Sequence, residues 1–287
     1  MARIDVSTFS LKHTFESAQP LTFYADYSEA SNTITYPFKG SVINIMHTGG
    51  AEKGALTVLG RDREKAVAEV KKRFRLDDDL PKIYKRIGTD LHIKRAIASY
   101  RGMRLTLNDP WETTLTFIIS QFNNVKRIRL ITKKIVERYG ATVFDSAGKP
   151  IAKEFPESRA LAGAAEKDLQ SLGSGFRAKY IRDAAEYCTN NLDLYKLPAA
   201  KYDKLKESLM SINGVGEKVA DCIILMGYGN LKAFPIDVHV KREMEKLYFK
   251  GRKKKLREIQ EFAERKWANS RGYAQQYLFH NARLGGG

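Results

Sequence analysis

Cysteine is nearly absent from the 287-residue chain, which holds two, Cys188 and Cys222. Two thiols cannot build a four-thiolate zinc or iron–sulfur site, so no metal centre of that kind is expected. Long apolar runs are missing as well. None approaches the roughly 20 residues of a spanning helix, and the N-terminus carries no secretory apolar core. No membrane span is expected, and a reducing intracellular compartment follows, the cytoplasm of a prokaryote or a nucleus. Negative charge is scarce: 33 acidic residues face 50 basic ones, a formal net charge of +17. Such an excess points to a polyanion, and without an apolar span nucleic acid fits better than an anionic membrane surface. The length allows a sizeable core and two or three subdomains.

What is present concentrates between Leu205 and His239. Leu205, Leu209 and Ile212 recur at helical spacing, the turn Asn213-Gly214-Val215-Gly216 follows, and a second apolar helix opens at Glu217. Glycine has no Cβ to hold another molecule away from the backbone. Two glycines at a turn into a helix leave open N–H groups which, with the helix dipole, make a site for a DNA phosphate. Lys218 stands in the first turn of that helix, where the partial positive charge of the helix start favours the neutral, nucleophilic amine. Asp237 precedes a helical pattern beginning near Val238, which its carboxylate can cap and be fixed by. An amine and a carboxylate beside a phosphate grip suit cleavage of a glycosidic bond in DNA. The amine attacks C1′, and the carboxylate stabilises the positive charge that develops there. A hairpin that only grips phosphates, in a non-catalytic DNA-binding protein, is the alternative from another class, and it needs neither residue.

The run GVGEKVADC…FPIDVH resembles the helix-hairpin-helix, Gly/Pro…Asp superfamily of DNA glycosylases, and within it the 8-oxoguanine DNA glycosylases. The two-cysteine count does not fit the cluster-bearing endonuclease III branch. The resemblance implies a monomeric, cofactor-independent N-glycosylase and AP lyase of base excision repair. Such an enzyme flips the lesion out of duplex DNA, displaces 8-oxoguanine through a Schiff base on Lys218, and cuts the strand by β-elimination. A same-fold glycosylase for other oxidised or alkylated purines is the second enzymatic alternative. The expected fold is α+β. An N-terminal antiparallel sheet with linking helices spans 1–105, and a mostly helical core in two lobes spans 106–287, with the hairpin at 201–228.

Periodicity fills in the elements. Alternation predicts strands at Phe9–Lys12, Leu21–Tyr24, Thr33–Tyr36 and Val42–Met46, with turns at Ser28–Asn32 and Thr48–Gly50. Helical spacing predicts helices over Asp62–Leu76, Leu80–Ile87, Leu91–Tyr100, Thr132–Tyr139, Glu166–Leu172 and Tyr180–Tyr187. Another is capped by Asp109 with Pro110 in its first position. The last helices carry Leu256, Ile259, Phe262 and Trp267. Pro150–Leu161 reads as a looser segment, Lys250–Lys255 as a solvated connection, and Gly285–Gly287 as a frayed tail.

Residue by residue, the resemblance implies further roles. Gln275, in GYAQQYLF, would pair with the Watson–Crick edge of 8-oxoguanine, with Phe279 and Cys222 against its two faces. The carbonyl of Ala18 would accept from N7–H, although Ser17-Ala18-Gln19 also reads as an ordinary turn. Gly214, Val215, Gly216 and His239 would hold phosphates. In GSGFRAKY, Phe176 would wedge into the base stack and Arg177 would read the cytosine left opposite the lesion. Arg127 would share that cytosine or hold a phosphate. The loop Ser120–Asn124 would fill the vacated hole. Where animal enzymes of this kind carry asparagine, this chain has Phe122, and Gln121 is the other candidate plug.

Overall fold

Alternation along Thr33–Phe38 and Ser41–Gly49 turns Ile34, Tyr36, Ile43 and Ile45 to one buried face. A computed structural model, which describes residues 1–198 and 201–285, places these strands in an antiparallel sheet. Its strands are β1 (Ala2–Ser7), β2 (Asp26–Ser28), β3 (Thr33–Phe38), β4 (Ser41–Gly49) and β5 (Lys53–Leu59), in the order β1-β5-β4-β3-β2. Two expected strands are helical instead. The first is α1 (Leu11–Glu16): the Ser10 side chain accepts from His13 N at 3.3 Å, and Leu11 and Thr14 are buried three residues apart. The second is a 3-10 turn over Pro20–Phe23, which Pro20 opens in place of a strand start. Both runs are too short for alternation to tell a strand from a single helical turn.

Helix α2 (Arg63–Arg73) packs on β1 and β5, and with Phe9, Leu56 and Phe74 it closes the core of the sheet. Next come α3 (Leu80–Ile87) and α4 (Leu91–Ser99), capped by Asp79 and Asp90. Their apolar faces join the larger, helical core and not the sheet. That core surrounds α5 (Pro110–Ser120), which is buried on every side from Trp111 to Ile119. Helix α6 (Val125–Tyr139) follows, then a hairpin of β6 (Thr142–Phe144) and β7 (Pro150–Lys153) where a looser segment was expected. Helices α7 (Ser158–Ala162), α8 (Glu166–Ser171) and α9 (Arg177–Asn190) lead to α10 (Tyr202–Met210) and α11 (Glu217–Met226). The chain continues through α12 (Val238–Tyr248), α13 (Leu256–Trp267) and α14 (Arg271–Arg283). Helix α14 packs against α3, α4 and α12, so the end of the chain closes over its first third. Of the expected tail, Gly286 and Gly287 lie outside the described residues. No helix among the described residues is long and apolar enough to cross a membrane.

A buried ionic group joins the sheet unit to the helical core. Arg73 of α2 donates to both carboxylate oxygens of Glu112 on α5, at 3.1 and 3.0 Å, and to Glu69 at 2.7 Å. The Tyr24 hydroxyl adds a bond to Glu112 at 3.1 Å. Burial pushes Glu112 up, to about 6, against the opposing pull of Arg73. Arg73→Met is therefore expected to cost about 3 kcal/mol, the penalty of a buried carboxylate without its cation. Folded Glu112 binds its proton more tightly than the unfolded residue does, so lowering the pH relieves this penalty. In urea unfolding, the gap between wild type and variant should shrink from about pH 7.5 to about pH 5.5. A constant gap would leave the ion pair without its assigned weight.

Candidate active site

The hairpin turn between α10 and α11 is set by Gly214, whose φ of +89° lies in the left-handed region. A Cβ at this position would come within 2.8 Å of Tyr180 Cβ. Val215 is buried beneath the turn, and Asn213 donates to Asp183 at 2.8 Å, fixing the turn to α9. Helix α11 starts at Gly216 with no side-chain cap, so its first-turn amides stay open to an anion. Gly216 itself faces open space.

Lys218 is half-buried at the second position of α11, with Nζ 5.2 Å from the centre of the Phe117 ring. Cys222 lies one turn on and is buried. Burial pushes its thiol up to about 11, with Lys218 pulling the other way, so sulfur stays protonated at neutral pH. Asp237 caps α12, its Oδ1 accepting from Val240 N at 2.7 Å. The segment leading to Asp237 is held from two sides. Gln260 Nε2 donates to Phe234 O at 2.9 Å, and Gln275 Nε2 donates to Pro235 O at 3.1 Å. Phe234 stacks on Trp267, with ring centres 5.7 Å apart.

These residues meet in one cavity of about 600 Å³. Lys218, Asp237, Cys222, Gln275, Phe279, Ala18 and His239 all line it. Gln275 is 5% exposed, and its Oε1 has no hydrogen-bond partner among the described residues. Ala18 is held at φ +58°, an uncommon conformation for a residue with a Cβ. Its neighbours fix it there. Gln19 donates to Arg104 O at 2.9 Å, and Gln276 donates to Ser17 O at 2.8 Å. Gln276, Lys126 and Arg283 also line the cavity, although the sequence reading did not single them out. Gln276 and Arg283 on α14 and Lys126 on α6 are brought to the cavity by tertiary packing, for which the local pattern holds no signal.

The remaining candidates cluster around the 120–124 loop and the start of α9. Phe122 is 95% exposed at φ +47°, and its ring lies 6.4 Å from that of Phe176, itself 55% exposed. Phe176 continues to Tyr180 at 6.3 Å, and so to the hairpin. Gln121 is not free: its Nε2 donates to Gly214 O at 2.9 Å. Arg177, expected to read the cytosine opposite the lesion, is engaged within the chain. It is buried, stacks 4.4 Å from the Phe176 ring, and donates to the carbonyls of Gln121 and Phe122, the latter at 2.9 Å. Arg127 stays exposed on the first turn of α6, with one long contact of 3.4 Å to Gly173 O. A separate cleft of about 690 Å³ at the other end of α5 holds Tyr24, Trp111 and Cys188 and none of the candidates. The Cys188 thiol there is pushed up to about 12 by burial. Among the described residues no group of three or more His, Cys, Asp or Glu is placed to hold a metal.

Comparison with known proteins agrees with this geometry. Residues 115–269 match the family model of the HhH-GPD superfamily base excision DNA repair proteins, and residues 1–114 match the 8-oxoguanine DNA glycosylase N-terminal domain. A probable N-glycosylase/DNA lyase of Methanothermobacter thermautotrophicus is 33% identical over 218 residues, 69% of this chain and 69% of the relative. A solved complex of MBOgg1 with a low-affinity DNA ligand superposes with a TM-score of 0.87 at 32% identity, over 100% of this chain and 97% of that one. The Clostridium acetobutylicum 8-oxoguanine glycosylase/lyase, solved with duplex DNA bearing cytosine opposite 8-oxoguanine, gives a TM-score of 0.83 at 28% identity, over 99% and 98% of the two chains. On sequence, fold and arrangement alike, the chain belongs to the HhH-GPD superfamily of base excision DNA repair proteins, in the branch with an 8-oxoguanine DNA glycosylase N-terminal domain.

Proposed function

We propose that this chain, a base-excision-repair N-glycosylase and DNA lyase, removes 8-oxoguanine from duplex DNA through a covalent intermediate on Lys218. The convergence of Lys218, Asp237, Cys222, Gln275, Phe279 and Ala18 on one cavity carries this reading. The division into a sheet-bearing unit at 1–105 and a glycosylase core at 106–287 is proposed with it.

The hairpin amides at Gly214–Gly216, with His239 at the rim, grip a backbone phosphate. Phe122 fills the gap left by the rotated nucleotide. It is 95% exposed, whereas Gln121 is tied to the hairpin. Phe176 supports the wedge, Arg177 fixes the carbonyls of the loop, and Arg127 faces the cytosine left behind. An inserted ring offsets part of the cost of unstacking, a few kcal/mol. In the cavity the base lies between Cys222 and Phe279. The unpaired Gln275 Oε1 accepts from the N–H groups on the Watson–Crick edge of a guanine, and the Ala18 carbonyl accepts from N7–H, which guanine lacks. The Lys218 lone pair then bonds to C1′ as the C1′–N9 pair leaves with the base. The resulting Schiff base undergoes β-elimination 3′ to the lesion, and Asp237 stabilises the positive charge on the sugar.

A panel of duplexes tests the substrate. Release from 8-oxoguanine opposite cytosine should exceed release from 3-methyladenine or hypoxanthine duplexes. Gln275→Ala should lower 8-oxoguanine release about tenfold, the cost of one unpaired buried hydrogen bond. Faster release of an alkylated purine by the wild type would move the assignment to the alternative substrate class.

A further inference from the structure

Arg283, at the end of α14, lines the same cavity one turn beyond Phe279. Its Nε is shut off from solvent and has no hydrogen-bond partner among the described residues. The other side of the guanidinium is engaged: Nη2 donates to Glu16 O and lies 3.1 Å from His280 Nδ1. No ion pair to Arg283 is found among the described residues. Glu16, the carboxylate that acts on it electrostatically, offers it the backbone carbonyl and sits 4.0 Å from His13 Nδ1. His280 is fully buried, and burial first, then the charge of Arg283, pushes it down to about 3. Its imidazole is therefore neutral at physiological pH. A half-buried cation with no ion pair among the described residues thus borders the cavity proposed to take the base. Such a charge is costly to maintain unless something anionic arrives.

We propose that Arg283 is a catalytic residue that stabilises the purine as it leaves as an anion. The inference rests on the base-release reading above. When the C1′–N9 bond breaks, its electron pair departs with the base, and the charge spreads over the ring nitrogens and exocyclic oxygens. The lysine nitrogen bonded to C1′ becomes a secondary ammonium, and the proton it sheds ends on the released purine, which leaves neutral. A guanidinium beside the base gains attraction only as that charge develops, so it lowers the barrier and not the ground state.

The test compares two reactions of the full-length protein. One is single-turnover release of the purine the wild type excises fastest. The other is lyase cleavage of a preformed abasic site, which has no base to lose. Arg283→Leu should lower base release at least about tenfold while abasic cleavage stays within about twofold. Arg283→Lys, which keeps the charge and loses the fork, should recover part of the loss, and it serves as the readout if the leucine variant does not fold. An equal fall in both reactions would make Arg283 only a clamp on Glu16, and no fall in either would remove the role; both outcomes overturn the proposal. Failure of the wild type on 8-oxoguanine counts against the substrate reading alone, since the comparison uses whichever purine is released.

Discussion

Lys218→Gln is expected to leave no borohydride-trapped adduct on lesion duplex and to cut strand scission at least about 10⁴-fold. The change suits the site. Lys218 is half-buried with its amine over Phe117, and no ion pair to it is found among the described residues, so glutamine keeps the stem and leaves no buried charge unpaired. Glutamine and lysine have similar helix propensities, and α11 should keep its start. Duplex binding draws on the many other basic residues and should weaken by no more than about threefold at moderate salt. Undiminished scission by the variant, or trapping at another residue, would place the chemistry away from the hairpin. Loss of binding in parallel with scission would make Lys218 a phosphate contact.

Lys218 is legible as a candidate in the sequence because its signals are local. The turn glycines, the helix start and the Asp237 cap are decided by residues within a few positions of one another. The same holds for Leu80–Ile87, bounded by Asp79 and Gly88, and for the helix opened by Asp109 and Pro110. Legibility ends where distant residues decide. Alternation at Phe9–Lys12 and Leu21–Tyr24 is too short to separate strand from helical turn, and the segment between them is held by Gln19, which is bonded to Arg104 and Thr106 some 85 residues away. Nothing in the motif GSGFRAKY shows that Arg177 donates to carbonyls of the 121–122 loop, some 55 residues away. The plug was ambiguous for the same reason: only the bond from Gln121 to Gly214 separates it from Phe122. Gln276 and Arg283 gain significance from the 16–18 segment at the far end of the chain, which no local pattern connects to α14.

Asp237→Asn should slow base release about 10³-fold while leaving the fold in place. Asp237 does two things that this substitution separates. As an N-cap, its Oδ1 accepts from Val240 N at 2.7 Å, and asparagine caps a helix about as well. The melting temperature should therefore hardly move, whereas Asp237→Ala would lose the cap as well, at about 1 kcal/mol. As a charge, the carboxylate faces the cavity in which a sugar acquires positive character at C1′. The neutral amide offers no comparable attraction in a water-poor site. The deficit should also depend on the step. A preformed abasic site presents an aldehyde to Lys218 and needs no glycosidic cleavage, so lyase activity on it should fall much less than base release. This pattern differs from that expected of Lys218→Gln, which blocks both reactions, and it matches Arg283→Leu in kind while exceeding it in size. On this proposal the two charges would act on opposite ends of the breaking bond, the carboxylate on the sugar and the guanidinium on the departing purine. Base release by Asp237→Asn within about threefold of wild type would show that the cap, and not the charge, is what position 237 supplies.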